Sequence, residues 1–493
     1  MAQFLKWISL KQPEKERVLG LETPAEYRQR WISIRVLYFT GYLMFLAFGI
    51  VATGIWPYLK TLEPAVSKVF LAYVFAVPPL GQLIFSPFIG CWTNKLSSIR
   101  VPLLLLIAIF TVGNVLYAVL GELSDHREYV LLLSRALVGV GTSAVTICRA
   151  YISAATRVAE RTKTISYMAL AQSLGLMVGP IFQSAFAELG ENGFSFLGWF
   201  QVNMYTVAGW ICAILGLINM VLLIPSIFVD SPIAVKEAMK HQGAATAKET
   251  WKSVPLQYFA ITTMVVAFSL LMFAYVGYQT LLSPVALDQF GWTNEESLFY
   301  LGILMTAGAL ISCVLFLLLD PLCKRFGETN VLVYGAMLAL FLSQLLMIPV
   351  GSTSISDSVD SVNGTIGCPI SQEWCQSTPP VSIAQFTISY TLLCVSFSIG
   401  TTLSQAVFSK LLGPRPQGTW MALLTCAGSA ARIVGPGSVT LYVILGTYWT
   451  FGASAILCGA IFLWMWVYRN SLQPTPPPTA DTAEELKVLN TKQ

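Results

Sequence analysis

Three arginines stand inside stretches of the chain that are otherwise apolar: Arg135, Arg149 and Arg432. An ionised side chain at the centre of a bilayer costs at least about 2.5–3.5 kcal/mol on insertion scales, so it needs a counter-charge, water or a substrate. The apolar stretches defined below contain no Asp, Glu or His. Buried positive charge without acidic partners favours negative ions, so we expect these arginines to bind anions.

Two of the arginines share one predicted helix. Fourteen residues separate Arg135 from Arg149, which corresponds to a rise of about 21 Å and places both side chains on nearly the same face. Gly139, Thr142 and Thr146 follow between them at helical spacing. This stripe of small and polar side chains, with an arginine near each end, predicts a path for an anion.

Each arginine also has a structural interpretation. Arg135 could form a bond within the helix bundle, and Arg149 could extend its charged group to the membrane interface. Arg432 could bind main-chain carbonyls freed by Pro436, since proline removes a backbone donor from a helix. The sequence leaves these alternatives open beside the anion site.

The composition indicates what kind of structural elements carry these arginines. Charged residues make up 11% of 493 and hydrophobic residues 55%, whereas a soluble domain carries about 25% charged residues. This excludes a water-soluble protein and a disordered chain, and a net charge of +4 is too small for a nucleic-acid binder. Twelve stretches reach the about 20 apolar residues that a membrane helix needs. Their approximate limits are 35–59, 68–91, 101–121, 129–152, 165–187, 201–229, 255–286, 298–319, 330–350, 382–409, 418–442 and 447–468.

The spans predict an all-α membrane protein with twelve transmembrane helices in two six-helix halves. The predicted segments are a cytosolic start (1–34), a first half (35–229), a cytosolic linker (230–254), a second half (255–468) and a disordered, proline-rich cytosolic tail (469–493). Of the 29 Lys and Arg residues, 23 lie in the tails and in alternate links. Since cytosolic loops carry the excess of Lys and Arg, both termini are predicted in the cytosol.

The link between the ninth and tenth spans lies on the opposite, lumenal side by the same count. It contains the sequon Asn363-Gly364-Thr365 and two cysteines, Cys368 and Cys375. A glycan requires lumenal exposure and a disulfide requires an oxidising compartment. The sequence therefore predicts glycosylation of Asn363 and a Cys368–Cys375 disulfide.

The two halves repeat a Gly-Pro dipeptide at the same place. The fifth span contains Gly175 and Gly179-Pro180, and the eleventh contains Gly435-Pro436. Glycine permits close approach of helices, and proline bends a helix. Bends at matched places favour a transporter whose halves rock against each other, although a static kink is the simpler alternative.

Several motifs resemble those of the major facilitator superfamily. The motifs are Gly90…Asn94-Lys95…Arg100 after the second span, Arg135-x3-Gly139-x-Gly141 in the fourth span and Gly175-x3-Gly179-Pro180 in the fifth. The resemblance covers about residues 30–470. It implies a facilitator fold, helices one, four, seven and ten around a central cavity, and a gating role for the first motif. The superfamily usually has Asp where this chain has Asn94, so the chain departs from a charge relay there.

Other strings resemble the lysosomal facilitators of neuronal ceroid lipofuscinosis, a branch of that superfamily. They are Arg30-Trp31-Ile32-Ser33-Ile34-Arg35-Val36-Leu37-Tyr38, Ile55-Trp56-Pro57-Tyr58-Leu59, Val202-Asn203-Met204-Tyr205-Thr206 and Gly413-Pro414-Arg415-Pro416-Gln417-Gly418-Thr419. This resemblance implies an endolysosomal membrane, a glycosylated lumenal loop between spans nine and ten, and movement of anions, notably chloride.

The leading hypothesis is thus an endolysosomal anion transporter, with chloride as the first candidate. A proton-coupled carrier of a small organic solute is the second. It would need an acidic residue to reach inward from a span end: Glu63, Glu122, Asp288 or Asp320. A non-transporting receptor or scaffold is the third.

The remaining patterns concern partners. The sequence contains no phosphate-binding loop and no clustered metal ligands, and we expect neither an enzyme nor a cofactor or metal. The expected partners are a small inorganic or organic anion and the lipid bilayer, and not nucleic acid. Glu14…Val18-Leu19 and Glu484…Val488-Leu489 resemble acidic dileucine signals for sorting adaptors, with Val in place of the first Leu.

Overall fold

The computed structural model describes residues 20–473, apart from 64–67, 97, 124, 187–188, 191–192, 197–199, 243–245, 247–255, 293, 352–358, 362–363, 367 and 369–371. The two predicted sorting signals and the sequon residue Asn363 therefore lie outside the described residues. The first helices are α1 (Pro24–Leu62), α2 (Lys68–Lys95), α3 (Arg100–Ala118), α4 (Arg127–Thr142), α5 (Ala144–Ala154), α6 (Val158–Phe186), α7 (Thr206–Leu222) and α8 (Ile233–Gln242).

The later helices are α9 (Tyr258–Phe290), α10 (Asn294–Phe326), α11 (Glu328–Asn330), α12 (Leu338–Leu346), α13 (Ile383–Leu412), α14 (Gly418–Val434) and α15 (Ser438–Val467). A π-helix, Val331–Met337, joins α11 to α12. The described residues also form two antiparallel hairpins: β1 (Phe194–Phe196) with β2 (Phe200–Val202), and β3 (Val359–Ser361) with β4 (Gly364–Ile366). Short 3-10 helices cover Leu120–Glu122, Glu373–Gln376, Gly435–Gly437 and Arg469–Leu472. The fold is nearly all helical, as predicted.

The helices match the twelve predicted spans in order. Ten helical stretches of the described residues are long and apolar enough to cross a membrane. The sixth predicted span corresponds to the shorter apolar helix α7, and the stretch Gly418–Val467 holds the last two spans. Gly446 divides that stretch with a positive φ of 79°, which falls between the predicted limits 442 and 447.

The chain forms two compact units. The first contains Met1–Gln257, Ser409–Cys426 and Pro474–Gln493, and the second contains Tyr258–Phe408 and Ala427–Gln473. In the first unit, α1 and α6 pack closely because both carry glycines at their contact. A Cβ atom on Gly179 would lie 2.5–2.6 Å from main-chain atoms of Gly49 and Ile50, so only glycine allows this approach.

The second unit has its own apolar core. Tyr278, Leu282 and Val285 of α9 are buried there with Tyr442 and Phe451 of α15. The rings of Tyr278 and Phe451 meet edge to face at 5.5 Å, a favoured geometry for aromatic pairs. α9 and α15 thus form a common framework at the end of the unit where the Gly446 turn lies.

Candidate functional site

The predicted fourth span is two helices that meet at Ser143. α4 ends at Thr142 and α5 begins at Ala144, so Arg135 and Arg149 lie on opposite sides of this junction. Arg135 contacts α3, whereas Arg149 contacts α14. The two arginines thus contact different helices. Their spacing in the sequence did not indicate this.

Arg135 is buried by protein atoms. Its side chain is only 3% exposed, and its guanidinium carbon lies 4.9 Å from the ring centroid of Tyr117 on α3. Nη2 donates to Ser134 Oγ at 3.0 Å, while Nε is buried without a hydrogen-bond partner among the described residues. A cation over an aromatic face is stabilised by the ring quadrupole, which offsets part of the cost of burying this charge.

Tyr117 belongs to a cluster of three buried tyrosines. Tyr58 at the end of α1 meets Tyr117 edge to face at 5.2 Å and stacks on Tyr205 at 5.2 Å. All three are at most 6% exposed. The ion pairs resolved among the described residues do not include Arg135. Aromatic rings, and no carboxylate, therefore surround this charge.

Arg149 forms a polar cluster with two threonines of the first unit. Thr146 Oγ1 donates to Thr425 Oγ1 at 3.0 Å, and Arg149 Nη1 donates to the same oxygen at 3.4 Å. The Thr425 hydroxyl itself donates to the carbonyl of Met421. Thr146 and Thr425 are buried and Arg149 is half-buried. This places one positive charge and two hydroxyl groups where an anion could approach them.

The sequence alone did not indicate that Thr425 belongs to this cluster. It lies on α14, 279 residues after Thr146, and its local pattern is that of an ordinary span residue. A faint signal was available, because Thr425 is one of the few polar residues of the largely apolar Gly418–Val434. The contact itself could be found only in the folded chain.

Thr142 and Gly139 have mainly structural roles. Thr142 Oγ1 donates to the carbonyl of Gly139 at 2.7 Å within α4, as Thr in helices often does. A Cβ on Gly139 would collide with main-chain atoms of Pro78 on α2. The carbonyl of Thr142 accepts from Gln82 Nε2 at 3.0 Å. The middle of the predicted stripe therefore joins α4 to α2.

Arg432 belongs to the second unit. It lies near the end of α14 and is exposed, and Nη2 donates to Ser429 Oγ at 3.0 Å. The predicted Gly435-Pro436 bend follows directly, as a short 3-10 helix over Gly435–Gly437. The fifth-span motif differs, since α6 continues through Pro180 to Phe186.

The Gly90…Asn94-Lys95 motif meets the start of α14. The Gly418 amide donates to Asn94 Oδ1 at 2.9 Å, and Asn94 Nδ2 donates to Thr419 Oγ1 at 2.8 Å. A Cβ on Gly90 would lie 2.6 Å from the Gly418 carbonyl oxygen. Lys95 is exposed as the last residue of α2. Asn94 thus satisfies a backbone donor that helix formation leaves free.

The remaining predicted residues lie elsewhere. Cys368 and Cys375 are joined by a disulfide. A Cβ on Gly175 would collide with the Tyr42 carbonyl of α1, so Gly175 and Gly179 share one helix contact. Within the described residues, no group of three His, Cys, Asp or Glu is placed to hold a metal ion.

Asp288 lies in a helix that extends beyond the limits of its predicted span. The seventh predicted span ends at 286, but α9 continues to Phe290. Asp288 is thereby included and is only 9% exposed. The apolar count stopped at the charge, whereas the helix continued because Val285, Ala286 and Gln289 are buried beside it.

Comparisons with known proteins agree with this architecture. The model of the Major Facilitator Superfamily matches residues 37–370. Major facilitator superfamily domain-containing protein 8 of Xenopus laevis is 34% identical over 90% of this chain and 91% of its own length. Multidrug resistance protein 2 of Bacillus subtilis (strain 168) is 25% identical over 60% of this chain and 69% of its own length.

Solved structures show the same fold at low identity. The proton:xylose symporter XylE aligns with a TM-score of 0.66 and 16% identity, covering 92% of this chain and 98% of its own. The human organic anion transporter MFSD10 aligns with a TM-score of 0.62 and 14% identity, covering 88% and 99%. With helices that follow the predicted spans in order, a matching family model and a relative matched over nine-tenths of its length, this chain belongs to the major facilitator superfamily and is a multi-pass membrane transporter.

Proposed function

We propose that this transporter moves small anions, with chloride as the first candidate. The observation that carries the proposal is the cluster in which Arg149 Nη1 and Thr146 Oγ1 both meet Thr425 Oγ1. Guanidinium and hydroxyl groups are hydrogen-bond donors, and a hydroxyl hydrogen can rotate toward an arriving anion. Arg149 is half-buried, so part of its side chain stays accessible while the rest is enclosed by protein.

Arg135 adds a second positive charge. An anion near Arg135 would find Nε without a hydrogen-bond partner among the described residues and no carboxylate to compete for the guanidinium. Two positive sites on consecutive helices, α4 and α5, suit an ion that binds weakly at each and moves on. Binding at several weak sites permits both entry and release.

Reconstituted vesicles test this proposal. Flux of radioactive chloride through the purified chain is compared with flux through Arg149→Gln and Arg135→Gln. We expect each substitution to lower flux at least tenfold, because each removes a positive charge from the proposed anion path. The matched control is Arg325→Gln, at the exposed end of α10, which should leave flux unchanged. Wild-type vesicles that conduct no anion, or arginine variants that conduct normally, would refute the proposal.

We also propose that the transporter works in the endolysosomal membrane with both termini in the cytosol. The support is the resemblance of four strings to the lysosomal branch, the Lys and Arg distribution, and the two dileucine-like segments. A tagged chain is expected to co-localise with a lysosomal membrane marker, and Leu19→Ala with Leu489→Ala should shift it to the cell surface. Unchanged lysosomal delivery of that double variant would exclude these segments as adaptor sites.

One observation favours proton coupling as a second function. Asp288 is a nearly buried carboxylate in α9, and carboxylates inside membrane helices mark proton relays in carriers. Under this alternative, uptake by the wild type rises with an imposed pH gradient, and Asp288→Asn abolishes the gradient dependence. If wild-type uptake ignores the gradient, the alternative fails while the anion proposal stands.

A further inference from the structure

A disulfide-bonded loop of the second unit contacts the turn between the last two predicted spans. The loop contains the 3-10 helix Glu373–Gln376, and Trp374 in that helix packs against both Cys368 and Cys375. Trp374 immediately precedes Cys375, so the disulfide fixes the position of the indole ring.

The other side of the Trp374 ring covers the Gly446 turn. Nε1 donates to the Val443 carbonyl at 3.2 Å, and the ring meets Tyr442 edge to face at 5.2 Å. A Cβ on Gly446 would lie 2.6–2.8 Å from three atoms of the indole. Gly446 also has a φ of +79°, which favours glycine. Because residue 446 is glycine, the indole of Trp374 can lie directly against the main chain of the turn.

A second contact fixes the following residue. Gln289 of α9 donates from Nε2 to Thr447 Oγ1 at 2.9 Å and accepts from the Val381 amide at 3.0 Å. Both bonds are buried. They join α9, the second residue before α13 and the Gly446 turn. Hydrogen bonds hold Gln289 in this junction, whereas Trp374 is positioned by the neighbouring Cys368–Cys375 disulfide.

We propose that the Cys368–Cys375 loop is a thiol-responsive latch, in which the disulfide holds Trp374 on the Gly446 turn and a dithiol releases it. One thiolate of the dithiol attacks the sulfur of one cysteine, forms a mixed disulfide with it and releases the other cysteine as a thiolate. The second thiol then attacks the dithiol sulfur of the mixed disulfide and releases the first cysteine. Two electrons and two protons pass from the dithiol to the protein. The products are two cysteine thiols and the oxidised, cyclic dithiol.

Release has a mechanical consequence. Without the cross-link, Trp374 loses its covalent tie to Cys368 and leaves the turn more often. The Val443 carbonyl then loses its indole donor, and the main chain around Gly446 loses its cover. The backbone amides of residues 442–449 should open more often, because local opening follows from lost contacts.

Hydrogen–deuterium exchange on the purified full chain in detergent micelles tests the latch. Dithiothreitol should accelerate exchange in peptides covering residues 442–449 about tenfold, with cysteine alkylation and mass analysis showing that the disulfide is reduced. Trp374→Ala should exchange at the fast rate without reductant and respond no further. The Cys368→Ser/Cys375→Ser double variant should behave in the same way.

Two controls separate the latch from other effects. Trp449→Ala removes a 67% exposed indole close to the turn and should keep the wild-type response. Eight other cysteines form no disulfide, so a dithiol response that persists in the double-serine variant would refute the proposal. Verified reduction of the wild type without faster exchange would refute it as well, and that measurement needs no variant.

Discussion

Thr425 Oγ1 accepts a 3.0 Å hydrogen bond from Thr146 Oγ1. The bond joins α5 to α14, although the two residues are 279 positions apart in the chain. It also places the Thr425 oxygen within 3.4 Å of Arg149. The threonine pair thereby holds the guanidinium of Arg149 beside two hydroxyl groups.

Replacement of Thr425 should weaken anion binding. Thr425→Val keeps the shape of the side chain but removes the oxygen that accepts from Thr146 and Arg149. Loss of a hydrogen bond to a charged group costs about 1.5–3 kcal/mol, so the apparent anion affinity should fall roughly tenfold or more, since 1.4 kcal/mol is a factor of ten. Concentration dependence of chloride flux in vesicles measures this. Thr425→Ser retains the hydroxyl and should transport normally; an equal loss in both variants would show that packing alone matters.

A negative charge at position 94 should strengthen the contact of α2 with α14. Asn94→Asp keeps an oxygen that accepts from the Gly418 amide and adds a carboxylate at the N-terminus of α14. Such a charge is worth about 0.3–1 kcal/mol near a helix N-terminus. We expect a higher thermal unfolding midpoint and slower transport, because the stronger contact opens less often. Asn94→Ala should change both quantities in the opposite direction, and a Tm that falls in Asn94→Asp would contradict this explanation.

Alanine at Gly179 should separate α1 from α6. The added methyl group would lie 2.5–2.6 Å from backbone atoms of Gly49 and Ile50, which cannot move as a side chain can. Overpacking of this kind costs about 1–3 kcal/mol, so the unfolding midpoint in detergent should fall. Gly452→Ala is the matched control, because nothing lies within 4 Å of its Cβ position. A Gly179→Ala protein as stable as the control would show that the helices separate without cost.

The buried charge of Arg30 should depend on Glu22. Arg30 is completely buried, and Glu22, at 7% exposure, pairs with it at 2.7 Å; Glu160 pairs at 3.2 Å. Glu22→Gln leaves the arginine with one carboxylate and should lower the free energy of unfolding by about 1.5–3 kcal/mol. Lys236→Gln removes a 48% exposed partner of Glu26, which should change stability by less than about 0.5 kcal/mol. Equal effects in thermal unfolding of the two variants would contradict this ranking.

The two Gly-Pro motifs show how well a local sequence motif predicts a helix bend. Both predict a bend, yet α14 gives way to a 3-10 helix at Gly435–Gly437 whereas α6 runs on through Pro180. The difference has a local reason. Pro436 has glycine on both sides, and glycine disfavours helix by about 1 kcal/mol relative to alanine, while Ile181 follows Pro180. The neighbours of the motif decide its conformation.

The sequence by itself determined the twelve spans, their order and the family, because apolar length is a property of each segment alone. Only the tertiary structure decided which helix each arginine meets, which oxygen lies between Thr146 and Arg149, and that Trp374 covers Gly446. These contacts join segments tens to hundreds of residues apart, and their geometry depends on how helices pack. Hydropathy says that a helix is buried in lipid, but it does not say which neighbour it touches.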